Sequence, residues 1–288
     1  SMYHCLKRLV KTIPRRRFLE ANKISMPDCL VRKSISNLQK EEKILLLDKG
    51  REALVFIDEL LNEQQWNIID ILRSVTFCML DRKQAAILLQ RCGIDVSSNM
   101  VTLDEILEDK INMDFDHYIG NLPFSEKGHR DGQKTLGTAI ALKILQEAKD
   151  GAEIHLILTN NWVVDRNHPL RQEIMKNTLI SAEIDSDWIK KNYFSQIGST
   201  FSIFHVKKGK HMLPHGTSVR RGNKKMNLNP FGEDFELFPR TVDTHTLSIF
   251  EKLNKKIGTT SQFFNWSRTA RGTMSPEKTE THVFPCHY

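Results

Sequence analysis

Short apolar runs that end in an acid or an amide recur along this chain, most of them followed by a helical pattern. No other feature restricts the fold as strongly. Lys43–Asp48 (KILLLD) is apolar without alternation, as a strand buried on both faces would be. Ser74–Asp81 (SVTFCMLD), Asn99–Asp104 (NMVTLD), Phe115–Asn121 (FDHYIGN) and Ala152–Thr159 (AEIHLILT) read the same way, and Thr200–Val206 (TFSIFHV) is a late strand. Between them, Arg51–Glu63 carries Leu54, Ile57, Leu60 and Leu61 on one helical face. Arg82–Cys92 is helical with Gly93 as its cap, and Thr135–Lys149 presents Ile140, Ile144, Leu145 and Ala148 before Gly151. Strand and helix in alternation predict an α/β fold, a mostly parallel sheet with helices on both faces. Ligands of such sheets bind at the carboxyl ends of the strands, where Asp48, Asp81, Asp104 and Asn121 stand. Beyond about residue 210 the regular pattern dissolves into Gly, Asn, Thr and aromatics.

The chain has 288 residues, 40% hydrophobic and 27% charged, enough apolar content for a packed core and too much for a disordered or coiled-coil chain. No run of about 18 apolar residues exists to span a membrane. Cys5, Cys29, Cys78, Cys92 and Cys286 are scattered, which argues against a disulfide framework and a structural zinc site. Ser1 before Met2 reads as an added residue, and no secretory signal follows it, so a soluble, cytoplasmic protein is expected. The closing run VFPCHY reads as a strand cut short inside a longer recognition region. From Trp188 to Gly232 no acid appears, while Lys190, Lys191, Lys207, Lys208, Lys210, Arg220, Arg221, Lys224 and Lys225 fall inside. One-signed charge of this kind is the footprint of a polyanion partner; the alternative is a solvated basic loop.

The most specific segment is Asp116–Phe124 (DHYIGNLPF), which leaves a strand and delivers Asn121-Leu122-Pro123-Phe124 at its carboxyl end. This resembles the [Asn/Asp]-Pro-Pro-[Tyr/Phe] motif of amino-methyltransferases that use S-adenosylmethionine (SAM), above all the N6-adenine DNA methyltransferases of restriction-modification systems. An exocyclic adenine amine is a weak nucleophile because its lone pair is delocalised into the ring. Two acceptors, the Asn121 amide oxygen and the carbonyl of Leu122, would bind its two N–H groups and stabilise the positive charge that develops. Phe124 would stack on a base swung out of the duplex. Since the second acceptor is backbone, Leu122 in place of the usual first proline need not abolish it.

The resemblance runs over roughly residues 14–210 in the family's order. It implies a Rossmann-like, seven-stranded, mostly parallel sheet with Thr200–Val206 antiparallel. Lys23–Pro27 (KISMP) looks like the segment packed beside SAM, which makes Met26 and Pro27 candidates. Residues 45–55 stand where the glycine-rich cofactor loop lies, with Asp48 and Gly50 as its remaining landmarks. Asp81 matches the acid that binds the ribose hydroxyls, followed by Arg82, and Asp104 the acid beside the adenine of SAM. Thr159-Asn160-Asn161-Trp162, Leu170-Arg171 and Phe194–Gly209 resemble later elements. The domains expected are a basic segment 1–22, a catalytic domain 23–210 and an extension 211–288 within a target-recognition region. DNA is the expected partner, contacted by Lys207, Lys208, Lys210, Arg220, Arg221, Lys224 and Lys225.

The chain departs from the family at the cofactor loop, where only Gly50 survives and Glu52 stands near the expected position of the methionine carboxylate of SAM. Two like charges about 4 Å apart at an effective dielectric near 20 repel by roughly 4 kcal/mol, on the order of a thousandfold in affinity. Weak SAM binding, an altered pose, or a silent relative that only binds nucleic acid or a partner all remain open from this. Asn-Leu-Pro-Phe also occurs in rRNA adenine dimethyltransferases, the second candidate class. Asp81 and Asp104 have a plain reading as helix N-caps. His205, His211 and His215 lie in a basic stretch without a nearby Cys, and no metal site is expected. Ser125–Lys134 is expected to be a loop ordering over the extruded base, and Phe263, Phe264, Trp266, Arg268 and Arg271 to offer an aromatic and cationic surface.

Overall fold

In the computed structural model, the residues described are 30, 34–48, 53–79, 99–123, 135–164, 167–184, 190–191, 201–222, 224–228, and 245, 248, 249 and 252. Two compact units divide the chain, Ser1–Thr244 and His245–Tyr288, and every element below belongs to the first.

The strands are β1 (Ile44–Asp48), β2 (Val75–Met79), β3 (Met100–Thr102), β4 (His117–Asn121), β5 (Glu153–Thr159), β6 (Thr178–Glu183), β7 (Phe201–Lys207), β8 (Thr217–Arg221) and β9 (Lys224–Leu228). The helices are α1 (Ala53–Asn62), α2 (Ile68–Ser74), α3 (Leu103–Leu107), α4 (Leu136–Glu147), α5 (Asn161–Val164) and α6 (Pro169–Lys176). The strands form one sheet in the order β3-β2-β1-β4-β5-β7-β6-β8-β9. β3, β2, β1, β4 and β5 are mutually parallel, and β7 runs antiparallel to both β5 and β6.

The continuous apolar runs sit in the middle, as strands covered on both faces must. Ile44 to Leu47 are buried throughout, and so is all of β4. The face that α1 covers gathers Leu54, Ile57 and Leu60 with Ile119, Ile157, Phe201 and Ile203. Gly120 is required where β4 passes β1, since a Cβ there would lie 2.1 Å from the carbonyl oxygen of Leu47. Leu47 pairs with Gly120, so Asp48 ends β1 level with Asn121 at the end of β4.

Three elements differ from the expectation. Ser74 closes α2 instead of opening a strand; Asn67 and Asp70 form a reciprocal capping box that starts this helix. β3 stops at Thr102, because the Thr102 hydroxyl accepts from the Glu105 N–H at 3.2 Å and begins α3 there. Among the described residues the sheet also has nine strands, not seven. The hairpin β8–β9 lies where no regular pattern was expected, with β8 parallel to β6 and Gly222 at φ 58 in its turn. No helix among the described residues is long and apolar enough to cross a membrane.

Candidate active site

The parallel register brings the carboxyl ends of β1, β2, β3 and β4 to one rim of the sheet. Asn121 is the last residue of β4 there and is 1% exposed. Its Oδ1 and its Nδ2 are both buried without a hydrogen-bond partner. Leaving a buried donor or acceptor unsatisfied costs about 1–3 kcal/mol, so an amide orphaned on both atoms calls for an explanation. One strand over, Asn160 follows β5 on the same rim, and its Oδ1 is likewise buried and unpartnered. Sequence reading had placed Asn160 only as part of a matched segment; its spacing carries no signal by itself.

The motif's backbone is held from behind. Leu122 is fully buried, and the first turn of α4 lies directly on it. A Cβ on Gly137 would come within 2.3 Å of the Pro123 carbonyl oxygen and 3.3 Å of the Leu122 and Leu158 side chains. Thr135 caps α4 by accepting from the Thr138 N–H at 3.2 Å, which sets where this turn begins. A leucine side chain in the core thus anchors the position that the related motif gives to proline. Beyond β5, Trp162 donates to the Ser202 hydroxyl at 2.7 Å and Arg171 donates to the Val163 carbonyl at 2.9 Å, tying α5 and α6 to β7 beside the rim.

Asp104 is exposed in the first turn of α3, two residues past β3 and on the carboxyl side of the sheet. The backbone of Asp48 ends β1 on that side too. Phe124, Met26, Pro27, Gly50, Asp81 and Arg82 lie outside the described residues, as do Ser125–Lys134, the helix expected at Arg82–Cys92, and Phe263, Phe264, Trp266, Arg268 and Arg271.

The cations expected to meet nucleic acid separate into two groups. Register carries one row across the sheet from Asn121 through Ile157, Ile203 and Glu183 to Arg220 and Lys225. Arg220, Arg221, Lys224 and Lys225 therefore border the same side of the sheet as Asn121; four strand spacings from β4 to β8, of about 4.8 Å each, separate Arg220 from it. Lys207 instead pairs with Glu153 at the amino end of β5. Lys208 and Lys210 follow it and serve as helix caps: Lys208 donates to the Leu145 and Gln146 carbonyls at the end of α4, and Lys210 to those of Met175 and Asn177 at the end of α6. The structure does not bring these three to the Asn121 rim. A run of like charge in sequence conceals this, because an antiparallel strand carries its far end to the opposite edge.

The sheet and its helices form a Rossmann-like fold, one that SAM-dependent methyltransferases share. Among solved structures, the M protein of the type I restriction enzyme EcoKI superposes with a TM-score of 0.50 at 13% identity, covering 74% of this chain and 52% of that one. A chain of a type I restriction-modification complex covers 91% of this chain and 57% of its own length, at 15% identity and TM-score 0.49. This chain therefore spans about half the length of those it matches. No protein-family model matches the sequence, and neither does any curated protein.

Proposed function

We propose that this chain transfers a methyl group from SAM to the N6 amine of adenine in DNA. The observation that carries the reading is Asn121: a buried amide, unsatisfied on both atoms, at the carboxyl end of the central strand. It fits a ligand that brings its own N–H groups. The Asn121 oxygen would accept one N–H of the amine and the Leu122 carbonyl the other, holding the nitrogen lone pair toward the donor. SAM supplies an electrophilic methyl on its sulfonium, and the transfer is direct, without a covalent enzyme intermediate. Phe124 would stack on the extruded base, and Asp81 and Asp104 would hold the cofactor, with Met26, Pro27, Asp48, Gly50 and Arg82 around it.

Arg220, Arg221, Lys224 and Lys225 would contact phosphates flanking the target base, a role that suits their place on the Asn121 side of the sheet. Lys207, Lys208 and Lys210 are not assigned this role. The type I restriction-enzyme M protein that shares the fold supports DNA as the substrate.

Incubation with tritiated SAM and duplex DNA should place label on adenine, and Asn121→Ala should lower the rate by about 100-fold or more. Label in ribosomal RNA alone would favour the dimethyltransferase reading. Absence of any label from a folded protein would favour a silent relative, to which Glu52 points.

A further inference from the structure

We propose that Glu153, His155 and His205 form a binding site for one divalent transition-metal ion of the zinc type, at the amino end of the sheet. The antiparallel register of β5 and β7 sets His155 directly opposite His205, and Glu153 two residues away on the same face. The three ligand atoms all lie within 4.8 Å of one another. Glu153 Oε2 is 3.4 Å from His205 Nε2 and 3.9 Å from His155 Nε2.

Those separations are too long for good hydrogen bonds, and His205 Nε2 is buried without one. They are close to the spacing of two ligands that share an ion: tetrahedral zinc with bonds of about 2.0–2.1 Å puts neighbouring ligand atoms about 3.3 Å apart. The imidazoles are stacked, with centroids 3.7 Å apart and planes 20° from parallel. Modest side-chain rotations that tilt them apart would let both lone pairs converge.

The environment suits this chemistry. Two nitrogens and one oxygen leave a fourth position for water, and the donor set favours zinc-like ions over magnesium or calcium, which prefer oxygen. A polar cavity of about 290 Å³, bordered by Glu153, Lys207 and the Glu42–His117 pair, opens beside the Glu153 carboxylate. The ion would clamp β7 to its antiparallel neighbour β5.

The full chain, treated with chelator and dialysed, should take up one equivalent of ZnCl₂ in a calorimetric titration and melt at a higher temperature with the metal. Cobalt should give the visible absorption of a four-coordinate site. His205→Gln and Glu153→Gln should each weaken zinc binding by more than about 100-fold, beyond the loss of a mere supporting hydrogen bond. Both variants should melt cooperatively without metal, showing that the fold remains. No saturable zinc binding by the wild type, or equal affinity in both variants, would overturn the site. Equal affinity for MgCl₂ would overturn its assignment to transition metals.

Discussion

Asn121 and His117 lie on the same face of β4, at its two ends; Asn121 is unpaired on both side-chain atoms, whereas His117 pairs through Nε2 and leaves only Nδ1 without a partner. Ile119 lies between them, with Ile157 and Ile203 beside it in the core. At the carboxyl end, Asn121 and Asn160 keep buried polar atoms with no partner. At the amino end most polar groups are engaged. Asp116 accepts from the Lys43 N–H at 2.8 Å and pairs with Lys149 at 2.8 Å. His117 meets Glu42 at 2.5 Å, and Lys208 and Lys210 close the ends of two helices. The amino end is largely closed by pairs within the chain, and the carboxyl end keeps an amide unpaired on both atoms.

The sharpest way to break this comparison is to substitute each end in turn. Asn121→Ala should reduce methyl transfer by about 100-fold or more while leaving the melting temperature unchanged or higher, because it removes an amide that the free protein never satisfies. A large fall in melting temperature would show that Asn121 is an ordinary core residue. Gly137→Ala tests the support behind the motif. Its methyl group would sit 2.3 Å from the Pro123 carbonyl oxygen, so the motif or α4 must move. We expect at least about a tenfold loss of transfer, with about 1–3 kcal/mol of destabilisation in a denaturant titration.

The amino end should behave in reverse. Asp116→Asn should leave transfer untouched and cost about 0.5–1 kcal/mol, as expected for a partly exposed ion pair. Burial works against the charge on Asp116, but the Lys149 hydrogen bond, the Lys43 N–H and nearby positive charge outweigh it, so its pKa lies below the ordinary value of 3.8. A depressed carboxyl stabilises the fold above that ordinary value and loses its contribution as pH falls through the lowered one. The difference between wild type and variant in urea midpoint should therefore be present near neutrality and shrink in strong acid. A constant difference across pH would trace the effect to packing.

Much of this was legible in the chain. β1 announces itself as an unbroken apolar run, β4 and β5 as short runs that carry His117 and His155 among apolar residues, and Asn121 as the residue that ends β4. β6 did not: in Thr178–Glu183 (TLISAE) only Leu179 and Ile180 are strongly apolar, and the strand is specified by its pairing with β7. β8 and β9 are charged on their outward positions, and only the Gly222-Asn223 pair between two alternating runs signalled a hairpin. The meeting of His155 with His205 had no local signal at all, since antiparallel pairing joins residues fifty positions apart. Nor could sequence tell that Lys208 and Lys210 face helix ends, because that depends on the direction of the strand before them.

The account rests on the carboxyl end of the sheet being a SAM site despite Glu52. Calorimetric titration of SAM into the purified chain tests it most directly. A saturable, one-to-one heat is the predicted result; no heat from the folded wild type even at millimolar SAM would contradict it.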